Sequence, residues 1–412
     1  MILKSTERGQ ALILIALAIV GIIALTALAI DGGMAFSDRR HAQNAADTAS
    51  LAAALEKVYN RDWNTAAFSR AASNGYTNDG VRSTVIVNNP PGAGCNGIPG
   101  PYAGNSEYIQ VIVRSNVDTF FAPVIGVDQV HNCVDAIARA KPAYTDEMFF
   151  GNATVSLSPT ACSSYWVHGT GDVNLNGGGV FVNSNCCGSN PAFNAFRESG
   201  SGTITAPSIS VVGCASYSAG DVSPIPETGV NPIPYLSEYI VWPDPPCSGP
   251  AVQSGNTLSP GSWSGTFPPS GVTMLESGIY CVNGDFKVGV GATLTGQDVL
   301  IVMNSGGITW NGGATINLDA PNEGMFAGLL IYAPLTNNSP IVINGNSDSH
   351  VSGTILAPAA SITINGTGAT GGFGAQVIGY NVEFAGTSNT YIYYQDEQNY
   401  DATYPPSIEL TE

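Results

Sequence analysis

Residues Leu329–Gly366 read LLIYAPLTNNSPIVINGNSDSHVSGTILAPAASITING, and the stretch repeats itself. Ile331-Tyr332-Ala333-Pro334 returns as Ile355-Leu356-Ala357-Pro358 after 24 positions, and Ile343-Asn344-Gly345 returns as Ile364-Asn365-Gly366 after 21. Within each run apolar residues alternate with Thr, Asn or Ser, the two-residue period of a strand with one buried face. Short strands recurring at that interval match one turn of a coiled stack in which like residues lie above one another. The expected fold is a right-handed parallel β-helix (a β-solenoid). Inward Val, Ile and Leu make its core, and Asn or Thr at the corners bond from rung to rung.

The same texture runs from Gly151 to Tyr394, in segments such as GDVNLNGGGVFVN, GATLTGQDVLIVM and GAQVIGYNVEFAG. A sandwich of brief strands shares it, but the internal repetition favours the coil. Prolines 224, 226, 232, 234, 243, 245, 246, 250, 260, 268 and 269 crowd residues 220–270. Such density cannot remain in ladders, so an excursion along the flank, pinned through Cys247, is expected. The acidic, tyrosine-rich tail 396–412 is expected to be flexible or to cap the last rung. Residues 60–148 read as a small α/β unit. It has a helix ending near Asn74-Gly75, strands in STVIVNNPPG, SEYIQVIVRS and VDQVHNCVDAIARAKP, and a short helix in VDTFFAPVIG.

Ahead of that unit stands GQALILIALAIVGIIALTALAIDGGMAFSDRRHAQNAADTASLAAALEKVY, Gly9–Tyr59. Twenty uncharged residues, Ala11–Ile30, end at Asp31; as a helix they span roughly 30 Å, the thickness of a bilayer's hydrocarbon. Beyond Asp31, alanines 42, 45, 46, 49, 52 and 53 recur at helical spacing, and Arg39, Gln43 and Asp47 form an i, i+4 stripe on another face. A face of small residues admits a second helix closely.

Gly9, Gln10, Asp31, Gly33, Arg40, Gln43, Asn44 and Asp47, in this order around an apolar span and followed by Ser50-Leu51-Ala52-Ala53-Ala54, resemble the N-terminal domain of TadG-like proteins of the bacterial tight-adherence (Tad, or Flp) pilus machinery. The resemblance covers about fifty residues. It implies an envelope role in pilus assembly or adherence, with other pilin-like subunits as partners through the alanine-rich helix. Some such proteins carry a von Willebrand-type domain, whose Asp-x-Ser-x-Ser metal motif is absent here; the strand-rich region takes its place. Prepilin-style processing after Gly9 would resemble type IV pilins, but Leu14 stands where those carry a glutamate. A signal peptide cleaved near Ile30 is the other alternative.

Charge and cysteine usage place the body of the chain. Residues 1–141 carry eleven basic and eleven acidic side chains, whereas 142–412 carry Arg197 and Lys287 against twenty acids. That surface repels phosphate backbones and argues against a nucleic-acid partner. Eight cysteines, Cys95, Cys133, Cys162, Cys186, Cys187, Cys214, Cys247 and Cys281, lie beyond the span without C-x-x-C spacing, which suits disulfides in an oxidising compartment rather than zinc. Cys95 is expected to pair with Cys133 and Cys247 with Cys281, and Cys186 and Cys187 each to find a distant partner. The N-terminus is then cytoplasmic and the body extracytoplasmic; basic residues stand on both sides of the span, Lys4 and Arg8 before it and Arg39 and Arg40 after it, so the cysteines carry that orientation.

No reactive constellation stands out, and no cofactor or metal is expected. A β-helix lyase needs a basic residue among clustered aspartates, and a glycosidase needs two convergent carboxylates, for which Asp285, Asp298, Asp319 and Glu323 are the candidates. Their turn-like positions suit solvated acids. Asp79 and Asp348 lack the further carboxylates of a calcium loop. The expected function is a non-enzymatic, single-pass envelope protein of the Tad class, anchored in the bilayer and displaying the solenoid. The alternative is a carbohydrate-binding β-helix whose exposed Trp166, Trp242, Trp263 and Trp310 stack on a surface glycan. The expected segments are 1–59, 60–148, 149–395 and 396–412.

Overall fold

The computed structural model describes residues 8–190, 193–234, 240–345, 348–367 and 373–411, the side chains of 8–12 excepted. Helix α1, Arg8–Val58, runs without a break. Among the described residues it is the one helix long and apolar enough to cross a membrane, and its apolar part is not covered by protein. Past Asp31 the same helix becomes the spine of a folded unit. Ala42, Ala45, Ala46, Ala49 and Ala53 are fully buried against strands β2 (Tyr108–Asp118) and β3 (Gln129–Lys141) and helix α2 (Trp63–Ser73). The alanine face is therefore filled from within the chain, by its own sheet as well as by a second helix. Small side chains permit that close approach because nothing projects beyond Cβ. Asp62 caps α2, its carboxylate accepting from the Thr65 amide at 3.1 Å and hydroxyl at 2.7 Å.

Strand β1, Ser83–Asn88, pairs antiparallel with β2, and β2 with β3, where Val113 faces Val134. The fourth strand of this sheet is the end of the chain. Ser407–Thr411 lies antiparallel to β3 with Ser407 opposite Lys141. The tail thus does not dangle: its last strand completes this sheet, and earlier in it Asn399 and Tyr400 bond to Gln376 and Thr354 on the flank of the ladders. Ile408 and Leu410 supply the alternation that makes it a strand. Residues up to 144, with 405–411, form one compact unit, and 145–404 form a second, inserted between two neighbouring strands of the first.

The second unit is rich in short parallel strands arranged in ladders, consistent with a β-solenoid-like domain. Ile331 and Tyr332 stack beside Ile355 and Leu356, and Ile343 beside Ile364, at the spacings of the sequence repeats. Along these strands Val, Ile and Leu point inward as one continuous core. Asn365 donates to the Asn344 side chain at 2.8 Å, and Asn344 in turn to the Trp310 carbonyl at 2.7 Å, a rung-to-rung column of asparagines. A second column is glycine. A Cβ on Gly169 would sit 2.1 Å from the Gly386 carbonyl oxygen, and one on Gly200 would sit 2.3 Å from that of Gly169, so these corners exclude every side chain.

The order of the rungs is not the order of the sequence. The first strand, Thr154–Ser156, lies inside its ladder with Val180–Val182 on one side and Val377–Phe384, from late in the chain, on the other. From it the chain proceeds through Ile209–Val211 to one end of the ladder at Glu227–Thr228. The second run begins at the far end, with Gly261–Ser264, and advances through Gly278–Asn283, Val299–Ser305, Leu329–Tyr332 and Thr354–Ile364 until Val377–Phe384 closes on the first strand. Both ends of the stack are strands two to four residues long beside prolines, which blunts edges that would otherwise recruit another chain.

A proline-rich strap, described over 229–234 and 240–250, leads from one of those ends to the other. The Ile233 amide and carbonyl bond to the Asn183 side chain at 2.8 and 2.9 Å, and the Val241 amide to the Thr403 carbonyl at 2.7 Å. Asp244 lies close enough to Tyr332 to join burial, the larger cause, in pushing that phenol up to about 12. Cys247 is bonded to Cys281, and the Ala251 amide reaches the Ser262 carbonyl at 2.9 Å. The excursion is shorter than 220–270, since Val222–Ser223, Glu227–Thr228, Thr257–Leu258 and Gly261–Ser264 are themselves ladder strands; residues 235–239 lie outside the described ones. The other pairs are Cys95–Cys133, Cys162–Cys186 and Cys187–Cys214, so Cys186 and Cys187 bond to different partners.

Candidate functional site

Where α1 leaves its apolar stretch, the Asp31 carboxylate accepts backbone N–H groups from Phe120, Phe121 and Ala122 at 2.8, 3.0 and 2.7 Å. The Phe120 amide above all holds this carboxyl below its ordinary range, against the opposing effect of burial, with the Ala122 and Phe121 amides adding to it. Two turns later Asp38 accepts from the Ser115 hydroxyl at 2.5 Å, the Asn132 amide at 2.7 Å and the Tyr76 hydroxyl at 3.0 Å. Burial, and then the charge of Asp38, raise the Tyr76 phenol. Gln43 donates to Asp47 at 2.8 Å and to the Asp135 carbonyl at 3.3 Å. One polar edge of α1 is thus tied to its sheet over several turns. Sequence reasoning missed Asp38, although its seven-residue spacing from Asp31 places both on one helix face.

The residues carrying the family resemblance therefore divide. Asp31 is bonded to the loop after β2, and Gln43 to Asp47 and to β3. Arg40 and Asn44 are exposed and, with Phe36, Ser37 and His41, line a shallow groove on the outer side of α1. Gly33 is also exposed, and a Cβ there would meet nothing within 4 Å; nothing in the structure explains a glycine at this position. The backbone of Gly9 and Gln10 is helical, and their side chains lie outside the described residues.

In the second unit the tryptophans part company. Trp310 is 2 % exposed and packs edge-on against Phe286 in the core, which corrects the expectation that it stacks on a sugar. Its neighbours explain this: Ile308 and Trp310 are two apart on one strand and share the inward face. Trp242, on the strap, is half-buried with its indole nitrogen enclosed. Trp263 is half-buried and donates to the Thr266 carbonyl at 3.0 Å. Trp166 faces outward between buried Tyr165 and Val167. His168 stacks on it with centroids 4.0 Å apart, the Arg197 guanidinium stands 4.8 Å above it, and its indole N–H bonds to Ser199 at 2.9 Å. His168 also meets Glu383 at 2.6 Å. A sugar stacking there must displace one of these partners.

The candidate acids do not converge as a set. Asp285 pairs with Lys287 at 2.7 Å and accepts the Gly307 amide at 3.1 Å, and those two bonds, Lys287 first, hold its carboxyl low. Asp298 and Asp319 line one cleft together with Glu397, and Asp319 is 3.1 Å from His350. Among the described residues no group of three or more His, Cys, Asp or Glu could hold a metal ion. Asp79 is a loop organiser: one carboxylate oxygen collects the amides of Val81, Arg82 and Ser83 at 2.8, 2.7 and 3.1 Å.

Compared with known families, residues 9–56 match the Flp pilus-assembly TadE/G-like family (Tad), the stretch that holds the apolar helix, Asp31 and the alanine face. No curated protein and no solved structure matches the chain.

Proposed function

We propose that this chain, whose residues 9–56 are a TadE/G-like Flp pilus-assembly domain, serves as a non-enzymatic, membrane-anchored component of a Tad pilus system. Residues 149–395 are its displayed part, wound as a right-handed parallel β-helix. One observation carries the proposal: the helix that bears the family domain is, in a single unbroken element, both an uncovered apolar rod and the spine of a folded unit. The four disulfides, all beyond the span, support an oxidising side for the body and hence a cytoplasmic N-terminus. The parallel register at one-turn spacing supports the β-helix. Because the alanine face is occupied, contact with pilin-like subunits falls to the outer groove at Phe36, Arg40, His41 and Asn44.

The test is deletion of the gene in its host, with surface pili counted by microscopy and attached cells counted on a surface. Loss of pili or of attachment, restored by the intact chain but not by an Arg40→Glu/Asn44→Arg variant that still reaches the membrane, supports the assignment. Unchanged pili and attachment in the deletion strain refute it.

A glycan-binding role is the second reading, favoured by the outward patch of Trp166, Arg197, Ser199 and Glu383. Glycan-array binding abolished by Trp166→Ala would support it.

A further inference from the structure

Between Asp118 and Asp128 the sequence TFFAPVIGV carries no charge, and the structure turns its side chains out: Phe120 is 72 %, Val124 90 % and Ile125 80 % exposed, with Phe121 and Val127 each over two-fifths exposed. Leaving so much apolar surface in water is unfavourable by roughly 25 cal/mol for each Å². The backbone of the same loop is nonetheless closed. The amides of Phe120, Phe121 and Ala122 go to Asp31, that of Thr119 to the Asp128 carbonyl at 3.0 Å, that of Val124 to Phe121 at 3.2 Å, and that of Val127 to Ala122 at 3.1 Å. Pro123 has no amide to satisfy, and the Thr119 hydroxyl is spent on the Val127 carbonyl at 2.6 Å. Exposed apolar side chains on a backbone whose donors are already paired are what a non-spanning segment needs to enter lipid, where an unpaired amide costs several kcal/mol.

The position of the loop agrees. Asp31 directly follows Ile30, the last residue of the apolar stretch, so its three bonds hold the loop beside the end of that stretch. We infer that residues 119–127 are a second membrane contact, dipping into the lipid leaflet beside the span, with Asp31 as the clasp between the two. The partner is the bilayer itself, continuous with the surface of the anchor. The inference rests on the membrane-anchored reading above. Its consequence is that the span is held at two points, which fixes its rotation about its own axis.

The experiment uses the full chain in nanodiscs of phosphatidylcholine and phosphatidylglycerol. A nitroxide is placed at Val124→Cys, at Ile98→Cys in the loop at the opposite end of β2, and at Leu25→Cys within the span. All eight native cysteines are paired, so only the introduced thiol is labelled. Collision rates with oxygen and with a water-soluble nickel chelate are then compared. The expected result is an oxygen-to-nickel ratio several-fold higher at 124 than at 98, and similar in sense to that at 25. A label at 124 as open to nickel as that at 98, with 25 still in lipid, overturns the inference and leaves the anchor standing. Shielding of 124 from both reagents overturns it in favour of a protein neighbour. Nickel access at 25 as well overturns the anchor itself.

Discussion

Cys247, on the proline-rich strap, is disulfide-bonded to Cys281, which is fully buried in the centre of the ladder strand Gly278–Asn283. The bond staples a segment that has few ladder hydrogen bonds to the core beneath it. A Cys247→Ser/Cys281→Ser variant is expected to lose about 2–4 kcal/mol of stability, the usual range for such a cross-link. Thermal melts of both proteins with and without reductant check this: the wild-type melting temperature falls under reductant by more than the variant's.

Trp310 sits among Phe286, Ile308 and Ile343 with its indole nitrogen enclosed and unpaired. Trp310→Ala is expected to cost about 3–5 kcal/mol through the cavity it leaves. Trp310→Phe costs much less, because it removes an unsatisfied donor while keeping most of the packing. Denaturant titration separates the two.

The glycine corners make a sharper case. At Gly169 φ is +107° and a Cβ would overlap the Gly386 carbonyl of the adjacent rung. Gly169→Ala is expected to destabilise by at least about 2 kcal/mol. Gly289→Ala is the control: φ is not positive there and a Cβ meets nothing within 4 Å, so it changes stability by less than about 1 kcal/mol. Melting curves of both variants give the comparison.

Removing residues 145–404 should leave a folded remainder. Lys141 and Ser407 already face each other across antiparallel strands, so a short Gly/Asn linker converts the insertion into an ordinary hairpin. The expected product, studied in detergent, keeps the Cys95–Cys133 bond and the amide protection of β2 and β3. Loss of protection throughout the sheet would show that the inserted unit is needed for folding.

Acid and base act oppositely on different carboxylates. Asp31 and Asp79 are held low by backbone amides, Phe120 first for the one and Val81 first for the other. Their stabilisation is present above the ordinary value of about 3.9 and is lost as pH falls through the folded-state value. Glu147 is raised, by burial first and then by Asp396, Asp146 and Asp401. Its contribution is present below the ordinary glutamate value of about 4.3 and disappears as pH rises through the folded-state value. Glu147→Gln is therefore expected to raise the melting temperature at pH 7 and leave it nearly unchanged at pH 3.5. Amide exchange at Phe120–Ala122 reports the Asp31 side, quickening as Asp31 is neutralised, once intrinsic rates are subtracted.

Much of this molecule could be read locally. The apolar run, the alanine spacing and the 24- and 21-residue recurrences of Ile331–Pro334 and Ile343–Gly345 are properties of neighbouring residues, and each appears in the structure as a helix or a stacked rung. The inward parity of Trp310 is equally a local property, set by Ile308 two positions before it on the same strand. What was not readable is lateral order. Thr154–Ser156 and Val377–Phe384 are short alternating strands like their neighbours, and nothing in either marks the other as its partner. The carboxyl-terminal strand is a similar case: Ser407–Thr411 alternates, but its place beside β3 depends on an edge left open far upstream. The Asp31 clasp needed the fold as well, because its three donors come from backbone that carries no side-chain signal.

The closure of Val377–Phe384 onto Thr154–Ser156 also bears on how the protein is made. A ribosome releases the amino-terminal strand first, and that strand then waits, one flank unpaired, for a segment translated more than two hundred residues later. The stack cannot mature progressively as it emerges; it locks only when synthesis is nearly done. A nascent or truncated product that stops before residue 377 offers that bare flank to any passing strand, so aggregation of incomplete chains is the hazard this topology creates.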